Sequence, residues 1–400
     1  MLRHLFKLIW QRKTRNLMLS LEILLAFVIV FAIAAFGTYY HQLYQLPIGF
    51  QYQSMWSVKI ETHGDGEMKA DPHIYDKLRR GLLALPEVEH VAFTRFPVYE
   101  LSSMSSEFTR PDGSGRVESS TLDVSDDYFA AVGMTLVAGR WFSAADDGAA
   151  DTPVMINRRL AAQLFPGRNP VGQPFSERDR GGKVHHLYRV SGVIDAFRNQ
   201  GEYMAPVNFM LTRFVPQASE HSLSAIELKV RPGTTRAFET ALNRQLKLIR
   251  NDWSYTISPT ADSRSSMLRL QLIPLLLLSV IAAFLLLMVG FGLFGVLWQN
   301  TTQRIPELGL RRAIGASAAD IYRQIVAEQL LLSTVAMLVA LALLAQLPLT
   351  GALDETLSWS VFGIATALST GVIYLLSLLC SLYPGWRAAR LSPTQALHYE

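Results

Sequence analysis

The sequence predicts an α-helical membrane protein with four transmembrane helices. A large extracytoplasmic α+β domain, a ferredoxin-like α/β core with a mostly β insertion, is expected between helices 1 and 2. Three observations carry this expectation. Four runs lack charged side chains: Leu17–Leu21 with Ile23–Tyr40, Leu270–Gln303, Gln329–Leu353 and Thr356–Trp386. Each supplies the roughly 20 apolar residues that cross about 30 Å of hydrocarbon. Basic residues alternate between the segments joining these runs, and the longest segment has the periodicities of strands and helices. The composition agrees: half of the 400 residues are hydrophobic, 18% are charged, and the mean hydropathy is +0.20.

Residues 1–16 read as a cytoplasmic amphipathic helix. Leu2, Leu5, Phe6, Ile9 and Trp10 recur at helical spacing, and Arg3, Lys7 and Arg12 are available to anionic headgroups. Arg3, Lys7, Arg12, Lys13 and Arg15, with no acid among them, place the N-terminus in the cytoplasm. The first span is then 17–40. Ala32-Ile33-Ala34 resembles a signal-peptidase site, but the apolar run is longer than a signal h-region and Glu22 interrupts it, so a retained anchor is expected. Glu22 is an intramembrane acid of open role. About 8 Å into the span at 1.5 Å per residue, it either reaches the interface, pairs with a base or serves a function.

Residues 41–268 are expected outside, and the segment 41–269 holds 26 Lys+Arg and 26 Asp+Glu. Strand, helix and strand patterns run over 57–62, 72–85 and 88–94, then over 223–230, 234–250 and 254–257. Ile74, Leu78 and Leu82 share one helix face, as do Phe238, Leu242, Leu246 and Ile249. Two β-α-β units around an insertion at about 100–205 make the ferredoxin-like core. Turn signals at Pro111-Asp112-Gly113, Gly139, Pro166-Gly167 and Gly172 mark the insertion as mostly β with one helix, Asn157–Leu164.

No catalytic or metal site is expected. His63, Asp65, Glu67, Asp71 and His73 crowd together but are broken by Gly64, Gly66 and Pro72, and lack helical ligand spacing. His185 and His186 alternate along a strand, so their rings are expected on opposite faces. No G-x-S-x-G elbow occurs in this domain, and the single Cys380 excludes an internal disulfide framework and a Cys-based zinc knuckle. No stretch matches G-x-x-x-x-G-K-[ST], so this chain has no P-loop of its own. The pI of 9.1 reflects basic residues needed for orientation, not a nucleic-acid partner.

The second span is expected at 269–298, a cytoplasmic coupling loop and helix at 299–328, the third span at 329–349, a short external loop at 350–358, the fourth span at 359–382 and a cytoplasmic tail at 383–400. Arg304, Arg311, Arg312 and Arg323 mark the coupling segment as cytoplasmic, while the external loop carries only Asp354 and Glu355. Pro306 suits the first turn of a short helix, Gly315 a left-handed end, and Ser317-Ala318-Ala319-Asp320 a capping box that opens the next helix. A short stiff helix is thus presented between two spans.

The segment Arg304-Ile305-Pro306-Glu307-Leu308-Gly309-Leu310-Arg311-Arg312-Ala313-Ile314-Gly315-Ala316-Ser317 resembles the cytoplasmic signature of MacB/FtsX-type ABC transporter permeases, the mechanotransmission class. The tail from Tyr383-Pro384-Gly385-Trp386 to Ala396-Leu397 resembles the same family. So do Val124–Phe129, Gly139–Phe142, Asn157–Ala161, Leu164–Gly172 and Val190–Asp195, in the order of the family's periplasmic core domain. Pro306 departs from the helix-forming residue the family more often has there, and a fused ATPase domain is absent. The resemblance implies a non-catalytic permease subunit of the bacterial inner membrane with both termini cytoplasmic. It would bind no cofactor directly; ATP and Mg would be used by a separate dimeric ABC ATPase subunit. Efflux from the periplasm or membrane is the implied activity. A second permease copy or paralogue, membrane lipid, a periplasmic adaptor and an outer-membrane channel are the implied partners. Ile305, Pro306, Glu307, Leu308, Gly309, Arg311, Arg312 and Gly315 are the implied coupling residues, with Leu308 and Ile305 as apolar anchors in the ATPase. The alternative is a membrane-anchored extracytoplasmic receptor or sensor without a motor.

Overall fold

A computed structural model describes residues 13–62, 71–178, 184–217, 219, 222–351 and 356–390. The expected amphipathic helix up to residue 12, His63, Asp65, Glu67, Asp354, Glu355 and the tail beyond Arg390 lie outside the described residues. The chain divides into two compact units, 43–271 and 1–42 with 272–400.

Helix α1 spans Lys13–Gln45, followed by strand β1, Met55–Glu61. Helix α2, Ile74–Leu83, and β2, Val88–Thr94, complete the first β-α-β unit. Next come β3, Met104–Thr109; β4, Arg116–Val124; helix α3, Tyr128–Val132; β5, Leu136–Gly139; and β6, Thr152–Asn157. Helix α4, Arg158–Leu164, is followed by β7, Pro174–Arg178; β8, Val184–Ile194; and β9, Phe209–Arg213. The second β-α-β unit is β10, Ala225–Val230; α5, Phe238–Ile249; and β11, Ser254–Pro259. Helix α6, Thr260–Thr302, starts at the very next residue. Then follow α7, Ile305–Ala313; α8, Ala318–Leu344; α9, Gln346–Thr350; and α10, Trp359–Arg390.

The outer unit begins as the ferredoxin-like pattern. Neighbouring strands run β11-β1-β10-β2, antiparallel at each step. Leu78 and Leu82 of α2 and Phe238, Leu242 and Leu246 of α5 lie buried with Trp56, Val58, Ile226 and Leu228 of the sheet. The 3.6-residue period of the helices and the pleat of the strands thus meet in one core.

Thr94 pairs with Val124, which joins this sheet to the insertion. There the order β4-β3-β7-β8-β6-β9 returns to β4, because β9 runs parallel to β4, and closes a six-stranded barrel. Phe108, Val154, Ile156, Phe175, Tyr188 and Val190 fill one apolar cluster on its strands, an arrangement that leaves no open edge in the ring. Among its described residues the insertion holds two α-helices, not the one expected. At five residues α3 is too short to show a helical period; Gly133 ends it in the left-handed region at φ 64°.

Among the described residues four helices are long and apolar enough to cross a bilayer, over 17–45, 260–302, 318–350 and 359–390. Leu19, Ile23, Phe27, Leu293, Leu332 and Ile373 belong to their shared core. All four helices overrun the expected spans, α1 running on to Gln45. At 1.5 Å per residue the 43 residues of α6 extend about 65 Å. Helix α8 starts at the Ser317 cap, and α10 continues past Pro384 to Arg390. Charge-free length marks the apolar stretch only, whereas a helix stops where its hydrogen bonds do.

Candidate functional site

Helix α7 is held between α6 and α8 by its sequence. Pro306 sits in its first turn, and Gly315, with φ 104°, turns the chain beyond it. Ser317 Oγ then accepts from the Asp320 backbone N–H, while the Asp320 carboxylate accepts from the Ser317 N–H, a reciprocal cap that starts α8.

Side chains fix the elbow from both flanks. Leu308, only 5% exposed, packs in one cluster with Ile321 and Ile325 of α8 and Ala388 of α10. Arg304 pairs with Glu328 at 2.5 Å, and Gln324 donates to the same carboxylate at 2.9 Å. Arg311 donates to Gln324 at 2.7 Å and to Glu307 at 2.7 Å. The resulting chain Glu307–Arg311–Gln324–Glu328–Arg304 laces α7 to α8, and partial burial of the Arg304–Glu328 pair strengthens it relative to a solvated ion pair.

Leu308 and Ile305, expected as apolar anchors for a partner, are both buried inside this chain. Leu308 faces α8 and α10, which the loop's sequence alone could not reveal. Gly309 is buried as well, whereas Pro306, Glu307 and Gly315 are exposed. The apolar side chains that α7 and its end present outward are Leu310 and Ile314, 58% and 79% exposed.

Glu22 lies in α1 beside Gly292 of α6, where a Cβ added to the glycine would stand 3.0 Å from Glu22 Oε2. That oxygen is buried and has no hydrogen-bond partner among the described residues.

The outer unit holds polar sites the sequence reading missed. Arg198 is almost fully buried, and its guanidinium donates to the carbonyls of Leu43 at 3.1 Å, Leu46 at 3.0 Å, Met204 at 2.7 Å and Glu202. Leu43 lies in the last turn of α1 and its carbonyl also accepts from the Leu46 N–H at 3.1 Å, so a cation sits at the negative end of the helix. Glu202 pairs with Arg264 of α6 at 2.5 Å; Arg264 also reaches the Tyr44 hydroxyl at 3.3 Å and lies 4.6 Å over the Tyr52 ring. Nothing in the spacing of Arg198 marked it.

Glu227 on β10 is fully buried, accepting from Ser57 Oγ at 2.7 Å and from the Val98 N–H at 2.8 Å. Desolvation pushes its carboxyl up to about 7, against the two hydrogen bonds that lower it. A lone acid in the apolar strand Ala225–Val230 was its sequence signal.

A polar cavity of about 580 Å³ in the outer unit is lined by residues including Asp147, Arg213, His185 and His186. Arg213 bridges Asp126 and Asp147 at 2.7 Å each, and the Asp126 hydrogen bond leads in raising its pKa above the usual arginine value. The histidine rings stand 4.4 Å apart, not on opposite faces. The β7–β8 register passes from Glu177↔His186 to Arg178↔Val184, so His185 is the extra residue of a bulge, which re-aims the side chains. Among the described residues no group of three or more His, Cys, Asp or Glu is placed to hold a metal.

The architecture is that of a multi-pass membrane protein carrying a large α+β domain and a helical elbow between two spans. Residues 20–245 match the MacB-like periplasmic core domain, and residues 279–393 match the FtsX-like permease C-terminal domain. The chain belongs to this MacB/FtsX permease family. It is 25% identical to the macrolide export ATP-binding/permease protein MacB of Agrobacterium fabrum over 97% of its own length and 59% of that protein's. It is 30% identical to the pyoverdine export ATP-binding/permease protein PvdT of Pseudomonas syringae pv. tomato over 70% of its length and 43% of that protein's. The chain therefore spans about half the length of these relatives. The periplasmic region of MacB from Actinobacillus actinomycetemcomitans aligns with 56% of this chain and 97% of that region, at 13% identity and a TM-score of 0.39.

Proposed function

We propose that this chain is the transmembrane subunit of an ABC transporter of the bacterial inner membrane, with both termini in the cytoplasm. A separate dimeric ATPase binds and hydrolyses ATP with Mg, and two permease copies share the stroke. The movement reaches the outer domain and drives extrusion of a substrate from the periplasm or membrane. The chain itself is non-catalytic and holds no cofactor.

One observation supports this reading above the others: α7 is braced against α8 and α10 through Leu308, Arg304 and Arg311 while Leu310 and Ile314 remain exposed. A push on the exposed face therefore moves two spans and is not absorbed by a loop. In this reading Ile305, Leu308, Gly309, Arg311 and Arg312 hold the elbow's shape, and Pro306, Glu307, Leu310, Ile314 and Gly315 meet the ATPase, with the aliphatic pair supplying most of the affinity.

The test is copurification of a P-loop ATPase with the full chain in mild detergent, followed by activity of the reconstituted complex. Leu310→Asp with Ile314→Asp is expected to abolish both, since a carboxylate buried in an apolar contact costs several kcal/mol. Normal capture and activity in that variant would place the ATPase contact elsewhere, whereas failure of the wild-type chain to capture any ATPase would leave a membrane-anchored receptor without a motor as the better account. External cysteine labelling at Asp112 but not at Arg311 in intact cells tests the orientation.

A further inference from the structure

The last two turns of α10 have two unlike faces. Pro384, Gly385, Ala388 and Ala389 are buried, with Ala388 against the elbow cluster and Gly385 beside Tyr322 of α8. The other face, Tyr383, Trp386, Arg387 and Arg390, is exposed. It continues a stripe of exposed apolar side chains on the same helix, Leu368, Leu375, Leu379 and Leu382. Spacings of three, four and seven residues keep these positions on one side.

Where the stripe ends, aromatic rings take over. Tyr383 stacks on Trp298 of α6 with centroids 5.7 Å apart and an interplanar angle of 10°, and on Trp386 at 6.2 Å. Two guanidiniums lie over these rings: Arg387 is 4.3 Å from the Trp298 centroid, and Arg390 is 4.3 Å from that of Trp386. Neither arginine has a carboxylate partner among the described residues. Each is held over an indole with its N–H fork unpaired among the described residues, an arrangement that lowers the ordering entropy of binding an anion.

We propose that Arg387 and Arg390, stacked on Trp298 and Trp386 where the apolar stripe of α10 ends, bind the phosphate of an anionic phospholipid. The sequence of surfaces follows the anatomy of that ligand: aliphatic side chains for the acyl region, indole and phenol rings for the glycerol level, and paired guanidiniums for the phosphate. Two positive charges one turn apart favour a lipid of net negative charge over a zwitterion, whose own cation they repel. The assignment depends on the chain being membrane-embedded and is independent of any ATPase. A lipid bound here sits on the reverse of the helix that braces the elbow.

The test is native mass spectrometry of the purified full chain in mild detergent, titrated with phosphatidylglycerol or phosphatidylcholine. At about 1 kcal/mol per arginine near an anionic surface, the wild type is expected to retain phosphatidylglycerol roughly tenfold to thirtyfold better. The double substitution Arg387→Gln and Arg390→Gln is expected to remove that preference. Trp386→Leu, which keeps both charges, is expected to reduce it severalfold, and thermal unfolding checks that each variant remains folded. Soluble glycerol 3-phosphate is expected to compete weakly. Equal retention of the two lipids by the wild type would overturn the proposal, as would a preference that survives in the double variant. Free glycerol phosphate binding as tightly as the lipid would assign the arginines to a soluble anion. Loss of a copurifying protein from the double variant with lipid preference intact would make this face a protein contact.

Discussion

The Arg312 guanidinium donates a 2.6 Å hydrogen bond to the carbonyl of Ala389, joining the elbow helix to the final turn of α10 across 77 residues of sequence. With the Leu308 cluster it makes the elbow part of the bundle's packing. Shape and docking should therefore be separable by mutation. Leu308→Asp is expected to destabilise the folded chain by about 3 kcal/mol or more, through lost burial and a charge in an apolar site. Leu310→Asp and Ile314→Asp, at exposed positions, are expected to stay within about 0.5 kcal/mol of wild type. Thermal unfolding in detergent reads the difference; equal losses in all three would contradict the burial pattern.

Glu227 gives the outer domain a pH dependence of defined sign. Its folded-state pKa of about 7 lies above the ordinary 4.5 because burial opposes ionisation. The native state holds the proton more tightly, so the contribution is fully present below about pH 4.5 and is lost as pH rises through 7. The difference corresponds to about 3 kcal/mol. Ser57, the Val98 N–H and, through Ser57, the Thr260 hydroxyl face this group, and the buried Tyr128 phenol feels its charge. Pulse proteolysis of the full chain between pH 5 and pH 8, scored on outer-domain fragments, should show the decline. Glu227→Gln should flatten it, and an unchanged slope in that variant would assign the effect elsewhere.

Arg198 should resist conservative replacement. Four carbonyl oxygens converge on its guanidinium, and a lysine ammonium offers three donors from one point in place of a planar fork. Both Arg198→Lys and Arg198→Met are expected to lower the unfolding temperature, each leaving buried carbonyls unpaired at about 1–3 kcal/mol apiece. Full rescue by lysine would mean that charge alone, and not the fork, holds the end of α1.

Glu22 tests whether an intramembrane acid is structural. Its buried Oε2 has no partner among the described residues, so Glu22→Gln is expected to stabilise the chain in detergent by about 1–3 kcal/mol. Stabilisation with lost transport would mark the carboxyl as functional; destabilisation would show that it holds the bundle together.

The legible parts of this molecule were those written in local periodicity. Leu78 with Leu82 and Leu242 with Leu246 revealed the faces of α2 and α5, and charge-free length revealed the spans. The cap at Ser317 and the turn at Gly315 could be read because Ser, Asp and Gly do these jobs through their own backbone chemistry. What stayed hidden depends on partners distant in sequence. The pairing of β9 with β4 closes the barrel across some 90 residues, and a one-residue bulge turns His185 and His186 to the same side. The elbow was legible as a helix, but which of its leucines faces inward is decided by Ile321, Ile325 and Ala388, so Leu308 and Leu310 could not be told apart.

Strand β11 ends at Pro259 and helix α6 begins at Thr260, with no residue between them. A loop there would act as a slack tether, letting the helix slide or spin before the strand felt any load. This junction has no slack. Six residues of β11 are registered against β1, from Trp56↔Pro259 to Glu61↔Ser254, so an axial slip of α6 must either shear that register or carry the edge strand with it. Within the outer unit, the first turns of α6 and the β1–β11 edge therefore form one continuous covalent and hydrogen-bonded element.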